Sequence, residues 1–67
     1  MLKAGDKVAF ANIPKAKRLP GDTITIIIGE LCEVLDNGVH VIESEIDICG
    51  YVNRYFRQGW ELSKVHA

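Results

Sequence analysis

Residues 23–42 read Thr23-Ile24-Thr25-Ile26-Ile27-Ile28-Gly29-Glu30-Leu31-Cys32-Glu33-Val34-Leu35-Asp36-Asn37-Gly38-Val39-His40-Val41-Ile42. The stretch opens by alternating Thr with Ile, and β-branched side chains suit a pleated surface that buries one face. This alternation predicts a strand over 23–28, with Ile24, Ile26 and Ile28 turned inward and the threonines outward. Beyond Gly29 the pattern is mixed, because Leu31 and Leu35 fall in the opposite phase while Cys32 and Val34 keep the first one. A long strand that bends or bulges at Gly29, its two ends serving different sheets, is the expectation. Asp36-Asn37-Gly38 then marks a tight hairpin, since Asn-Gly tolerates the positive φ angles such turns demand. A third strand begins at Val39.

Upstream, Val8 and Phe10 share one face of a short first strand over 7–11. Between it and the isoleucine strand lies a long loop, residues 12–22, in which Pro14 and Pro20 bracket Lys15, Lys17 and Arg18. Downstream, Ile46, Ile48, Gly50 and Val52 share a phase, which predicts a turn around Glu43-Ser44-Glu45 and a fourth strand over 46–52. Residues 53–58 suit a single helical or 3₁₀ turn ahead of Gly59. Trp60, Leu62 and Val65 fall in a short closing strand. Phe56 and Trp60 are expected to close the bottom of the core, and Tyr51 or Tyr55 to keep an exposed tip.

A chain of 67 residues, 48% hydrophobic and 25% charged, has the composition of one globular domain. A domain this small buries only about 60% of the surface its unfolded chain exposes. The net charge is −1, so the overall positive field of many nucleic-acid binders is missing. The charge is nevertheless segregated. Lys3, Lys7, Lys15, Lys17 and Arg18 cluster in the first third, while Glu30, Glu33, Asp36, Glu43, Glu45 and Asp47 follow without an intervening cation. The first residues lack the apolar run of a signal peptide, and no window is apolar enough to span a bilayer. A soluble cytoplasmic protein without a membrane partner is the expectation. Cys32 and Cys49 have neither CxxC nor zinc spacing, and read as two buried thiols in a reducing compartment.

Five short strands, a long first loop, a central hairpin and a one-turn helix before the last strand together resemble the SH3-like small barrel, including its KOW-type modules. The resemblance rests on Lys3-Ala4-Gly5-Asp6-Lys7-Val8, on residues 29–41 and on Tyr55-Phe56-Arg57-Gln58-Gly59-Trp60-Glu61-Leu62. It implies a mainly β, single-domain, five-stranded SH3-like barrel. The KOW likeness implies nucleic-acid or ribosome binding. Peptide-binding SH3 domains carry aromatic residues in the first loop that groove a polyproline ligand, and residues 11–22 here have none.

For function, the residues point to a small non-catalytic protein-binding or regulatory module with an unidentified protein partner; an accessory protein of a bacterium or phage is a guess from size alone. The candidate binding set is Lys15, Lys17 and Arg18 of the loop with Arg54, Tyr55 and Arg57, because basic residues interleaved with aromatics serve both interface hot spots and stacked bases. The loop cations matter on this reading only if folding brings them beside residues 54–57; otherwise they are a solvated loop. The same set defines the alternative, a nucleic-acid-binding module. A third reading takes Glu30, Glu33, Glu43 and Glu45 as an acidic surface that mimics nucleic acid, against the plain role of protecting strand edges. Opposite charges on two surfaces also suit a homodimer. His40 and His66 have no motif-level partners, and no phosphate loop, calcium loop or zinc spacing is present, so neither catalysis, metal nor cofactor is expected.

Overall fold

In the computed structural model, which describes residues 1–44 and 50–66, the first strand forms where the alternation of Val8 and Phe10 places it. Strand β1 spans Lys7–Ala11 and buries both residues. It runs antiparallel to β2, Ile26–Val34, with Phe10 opposite Ile27 and Val8 opposite Gly29. Strand β3 spans Val39–Ser44, β4 Arg54–Gln58 and β5 Ser63–Lys64. The described strands form one five-stranded sheet in the order β4-β3-β2-β1-β5, so the chain's last strand returns to lie beside its first. The fold is mainly β, with two 3₁₀ turns at Lys15–Lys17 and Gly59–Glu61.

The isoleucine strand corrects the expectation in start and in phase. Thr23 and Thr25 lie before β2 and are tied to Asn12: the Asn12 side-chain amide donates to the Thr23 carbonyl (3.2 Å), and the Thr25 N–H donates to Asn12 Oδ1 (3.1 Å). From Ile26 onward the inward phase belongs to Ile27, Gly29 and Leu31. Ile24, Ile26 and Ile28 are exposed by 41%, 66% and 39%. The reason is a close approach at Gly29, where a Cβ would lie 2.7 Å from both the Glu43 carbonyl oxygen and Ile42 Cγ2. Only a residue without a side chain fits there, so the strand must turn its even-numbered isoleucines outward. The expected bulge exists but sits further on, where the β2–β3 register slips between Leu31 and Glu33 and Cys32 becomes the extra residue.

The central hairpin is as expected. The Gly38 N–H donates to the Leu35 carbonyl (2.9 Å), the Leu35 N–H to the Val39 carbonyl (2.8 Å), and Gly38 takes φ +87°. Asn37 keeps negative φ and instead accepts the Val39 N–H on Oδ1 at 3.1 Å.

The second half of the chain departs from the expectation. Most of the strand expected over 46–52 lies outside the described residues, and Gly50, Tyr51 and Val52 are not in a strand. Where a helical turn was expected over 53–58, the chain instead forms β4, pairing Val41 with Phe56 and Ile42 with Tyr55. The 3₁₀ turn before the last strand exists, displaced to Gly59–Glu61. Strand β4 is hidden in the sequence because its inward phase holds Tyr55 and Arg57, and an inward arginine breaks the apolar alternation that marks a strand.

Val8, Phe10, Leu31, Ile42 and Leu62 form the core, with Leu2, Ile27 and Tyr55 packed against it. Each fully buried side chain of this size contributes about 1.5–3 kcal/mol. The Phe10 and Tyr55 rings meet at 5.1 Å, inclined by 60°, a tilted geometry that aromatic quadrupoles favour. Phe56 and Trp60 take no part in closing this core: they are 57% and 70% exposed. Asp6 anchors the segment before β1. It accepts the Lys3 N–H at 3.0 Å and lies 3.6 Å from the Lys64 ammonium of β5. That N–H bond, and then the Lys64 charge, hold its carboxyl below the ordinary 3.8 against the opposing effect of burial.

Candidate functional site

The long first loop does not stand free in solvent. Pro14 leads into the 3₁₀ turn Lys15–Lys17, and the Lys15 N–H donates to Glu61 Oε1 at 3.0 Å, docking this turn on its counterpart at Gly59–Glu61. The Lys15 ammonium lies 5.9 Å from the centre of the Trp60 ring, within reach of a cation–π attraction. Further along, Arg18 Nε donates to the Ile13 carbonyl (3.1 Å), and the Leu19 N–H donates to Asp22 Oδ2 (2.7 Å), closing the loop's outer bend.

Arg57 holds the stem of this loop. Its guanidinium donates to the carbonyls of Ala11 (3.1 Å), Asn12 (3.0 Å) and Phe56 (3.0 Å). It also lies over Phe10 and Tyr55, at 5.4 and 5.7 Å from their ring centres. The residue is 8% exposed. A planar donor fork suits this work, since it meets several carbonyls at fixed angles while its face rests on aromatic rings.

Between loop and sheet lies an open groove of about 270 Å³, lined by Pro14, Lys17, Val39, Phe56 and Trp60, with Arg57 at its margin. Its walls are mainly apolar, and its lining also holds one cation, Lys17, and one carboxylate, Glu61. Sequence reasoning passed over Pro14 as a site residue, and weighed Phe56 and Trp60 for the site but assigned them to the core. A signal existed for Phe56, which shares its phase with Arg54 and Gln58, two polar neighbours that mark the outward face of a strand.

Of the residues expected to bind, the fold unites some and separates others. Lys17 and Arg57 border the same groove, whereas Lys15 and Arg18 line the opposite side of Trp60. Arg54 lies at the other end of β4, where its Nε meets Glu43 Oε2 at 2.9 Å. Tyr55 is half-buried against Phe10. Among the acids, Glu30 and Glu33 are exposed and Glu43 is engaged by Arg54, while Glu45 lies outside the described residues.

Cys32 is half-buried at the bulge rather than in the core, its thiol donating to the Glu30 carbonyl at 3.5 Å. Burial, and then the Glu43 carboxylate, push its pKa up, opposite to what a reactive thiolate needs. Cys49 lies outside the described residues. His40 Nδ1 sits 2.9 Å from the Gly38 carbonyl, and its ring fills the space beside Gly59. Among the described residues no group of three or more His, Cys, Asp or Glu could hold a metal ion, and no helix is long and apolar enough to cross a membrane. Comparison with known proteins finds no family model, curated protein or solved structure that matches the chain.

Proposed function

We propose that this chain is a small non-catalytic SH3-like binding module whose groove between the first loop and the second 3₁₀ turn takes a short, extended peptide segment of a protein partner. The observation that carries this reading is the exposure of Phe56 and Trp60 beside Pro14. Large aromatics left in solvent cost stability in so small a domain, and such residues dominate the energetics of interfaces. The Arg57 clamp and the Lys15–Glu61 bond fix the groove's two walls before any ligand arrives, which lowers the entropy cost of binding. The groove favours apolar side chains next to an acidic one, the acid meeting Lys17 while the Glu61 carboxylate of the same lining is engaged by the Lys15 N–H.

Selection from a random displayed-peptide library tests the reading. Apolar-acidic sequences should be enriched on the wild type, and Trp60→Ala should weaken the selected peptides about thirtyfold or more, the size of a hot-spot loss. No enrichment, or equal binding by Trp60→Ala, defeats the proposal. A nucleic-acid-binding role is the second reading, favoured by the exposed Lys15, Lys17 and Arg18 around an exposed Trp60 ring. It requires that a labelled oligonucleotide quench Trp60 fluorescence at about 50 mM salt and lose that effect as salt rises.

A further inference from the structure

Trp60 stands as a crest between two hollows. On one side lies the peptide groove with Pro14, Lys17 and Phe56. On the other, a hollow of about 360 Å³ opens over Ala9 and Ala11, with Lys15 and Arg18 in its lining. Trp60 and Glu61 line both. The Trp60 side chain is exposed, so an extended chain can cross it on the way from one hollow to the other.

The second hollow differs from the groove in charge. It holds two cations, Lys15 and Arg18, against one carboxylate, Glu61. That carboxylate is already engaged in the fold, since Glu61 Oε1 accepts the Lys15 N–H at 3.0 Å. Neither cation has an ion-pair partner among the described residues. Arg18 is held through Nε, which donates to the Ile13 carbonyl at 3.1 Å, and its two terminal nitrogens are left for a ligand. A guanidinium fork of this kind suits a carboxylate better than any other group a protein partner carries. The Lys15 ammonium, 5.9 Å from the centre of the Trp60 ring, adds a second charge beside the crest. Ala9 and Ala11 are short, which leaves room above them for a side chain.

We propose that the partner's segment is bipartite: its apolar part fills the groove, and an acidic continuation crosses Trp60 into the second hollow, where carboxylates meet Lys15 and Arg18. The inference rests on the peptide reading of the groove and adds the part of the partner that sets selectivity. The loop cations then divide the work, Lys17 meeting the acid beside the apolar anchor and Lys15 and Arg18 meeting the acidic run. A chain lying in the groove reaches the crest from one of its ends only, so the acidic run stands at one fixed end of the apolar anchor. Charge pairs at an exposed rim give selectivity and association rate more than raw affinity, and salt screens them.

Fluorescence anisotropy tests it with a peptide selected on the wild-type groove, trimmed to the shortest length that binds, and extended at either end by three aspartates or three serines. At about 50 mM salt the aspartates at one end should tighten binding about tenfold over serines, and at the other end by less than about threefold. Arg18→Glu should abolish that gain while holding the serine-tailed peptide within about twofold of the wild type. Arg18→Lys should keep most of the gain, which separates lost charge from a loosened loop. Lys15→Gln, which alters no backbone bond, should reduce it about threefold even if Arg18→Glu disturbs the fold. Aspartates that help at neither end, help equally at both, or keep their gain in Arg18→Glu and Lys15→Gln overturn the inference and leave the groove standing. A trimmed peptide that fails to bind with serine tails overturns the groove reading and this inference with it. An oligothymidylate that binds the wild type as tightly as the aspartate-tailed peptide, and is lost in Arg18→Glu, assigns the hollow to nucleic acid and overturns the inference as well.

Discussion

Arg54 and Arg57 lie on one short strand and share a side-chain type, yet they do unrelated work. Arg54 faces outward, its side chain 67% exposed, and meets the Glu43 carboxylate. Arg57 faces inward at 8% exposure and binds backbone carbonyls from the loop stem and its own strand. Three residues apart in a strand means opposite faces, and the face decides the energetics. An exposed ion pair is screened by water and contributes little. A buried guanidinium must be fully bonded, and the carbonyls it serves would be left without partners if it were removed.

The largest expected effect tests this contrast directly. Arg57→Ala should destabilise the fold by about 3 kcal/mol, because it strips three charged hydrogen bonds from part-buried carbonyls and opens the space over Phe10 and Tyr55. Urea unfolding followed by far-UV circular dichroism measures it. Arg57→Lys should recover less than half of the loss, since one ammonium cannot span the same carbonyls. If Arg57→Ala is no worse than Arg54→Ala, the distinction between the two residues collapses.

Strand β2 offers the same comparison among hydrophobic residues. Ile27 packs against the core and its neighbour Ile26 is 66% exposed. Ile27→Ala should cost about 2 kcal/mol in dilute protein, whereas Ile26→Ala should cost less than about 0.5. Equal losses would mean that the two faces are energetically alike, contrary to the phase set by Gly29.

That phase also explains what the sequence could and could not tell. Strand β1 was legible because Val8 and Phe10 alternate with residues of a different character, and the central turn because Asn37-Gly38 has few other uses. In Ile26-Ile27-Ile28 both faces carry the same residue, so periodicity holds no information about which is inside. The decision lies in a tertiary contact, the approach of Gly29 to Glu43, invisible to any local pattern. Strand β4 was missed for the mirror-image reason, since a polar residue occupies an inward position. The candidate groove joins Pro14 to Trp60 across most of the chain, and its two walls meet only through long-range bonds such as Lys15 to Glu61. The loop's cations were legible as a group, but their division between two sides of Trp60 was not.

Asp6 extends the comparison to an acid held near the core. Its carboxyl is kept below the ordinary 3.8 by the Lys3 N–H and by Lys64. A carboxylate with a lowered folded pKa contributes stability that is present above the unfolded value and lost as pH falls through the folded one. The wild type should therefore lose stability more steeply below about pH 4 than Asp6→Asn does, while at neutral pH the variant is the weaker of the two. Parallel acid-unfolding curves for both proteins would break the assignment.

The smallest effect belongs to Arg54, and it is the one that gives the comparison its scale. The contact with Glu43 is short, 2.9 Å, yet the side chains are 67% and 36% exposed. Short distance alone would suggest a strong bond, whereas exposure predicts a weak one, because water at both groups screens the attraction and the arginine loses rotamer freedom in holding its place. Arg54→Ala should cost about 0.5 kcal/mol or less, and a double-mutant cycle with Glu43→Ala should give a coupling below about 1 kcal/mol that fades in about 1 M salt. Arg57→Ala should keep nearly its whole effect in the same salt, because the arginine is buried and its partners are neutral carbonyl dipoles rather than a carboxylate in water. Salt response, more than the size of the loss, separates an arginine that decorates the sheet from one that holds the loop to it.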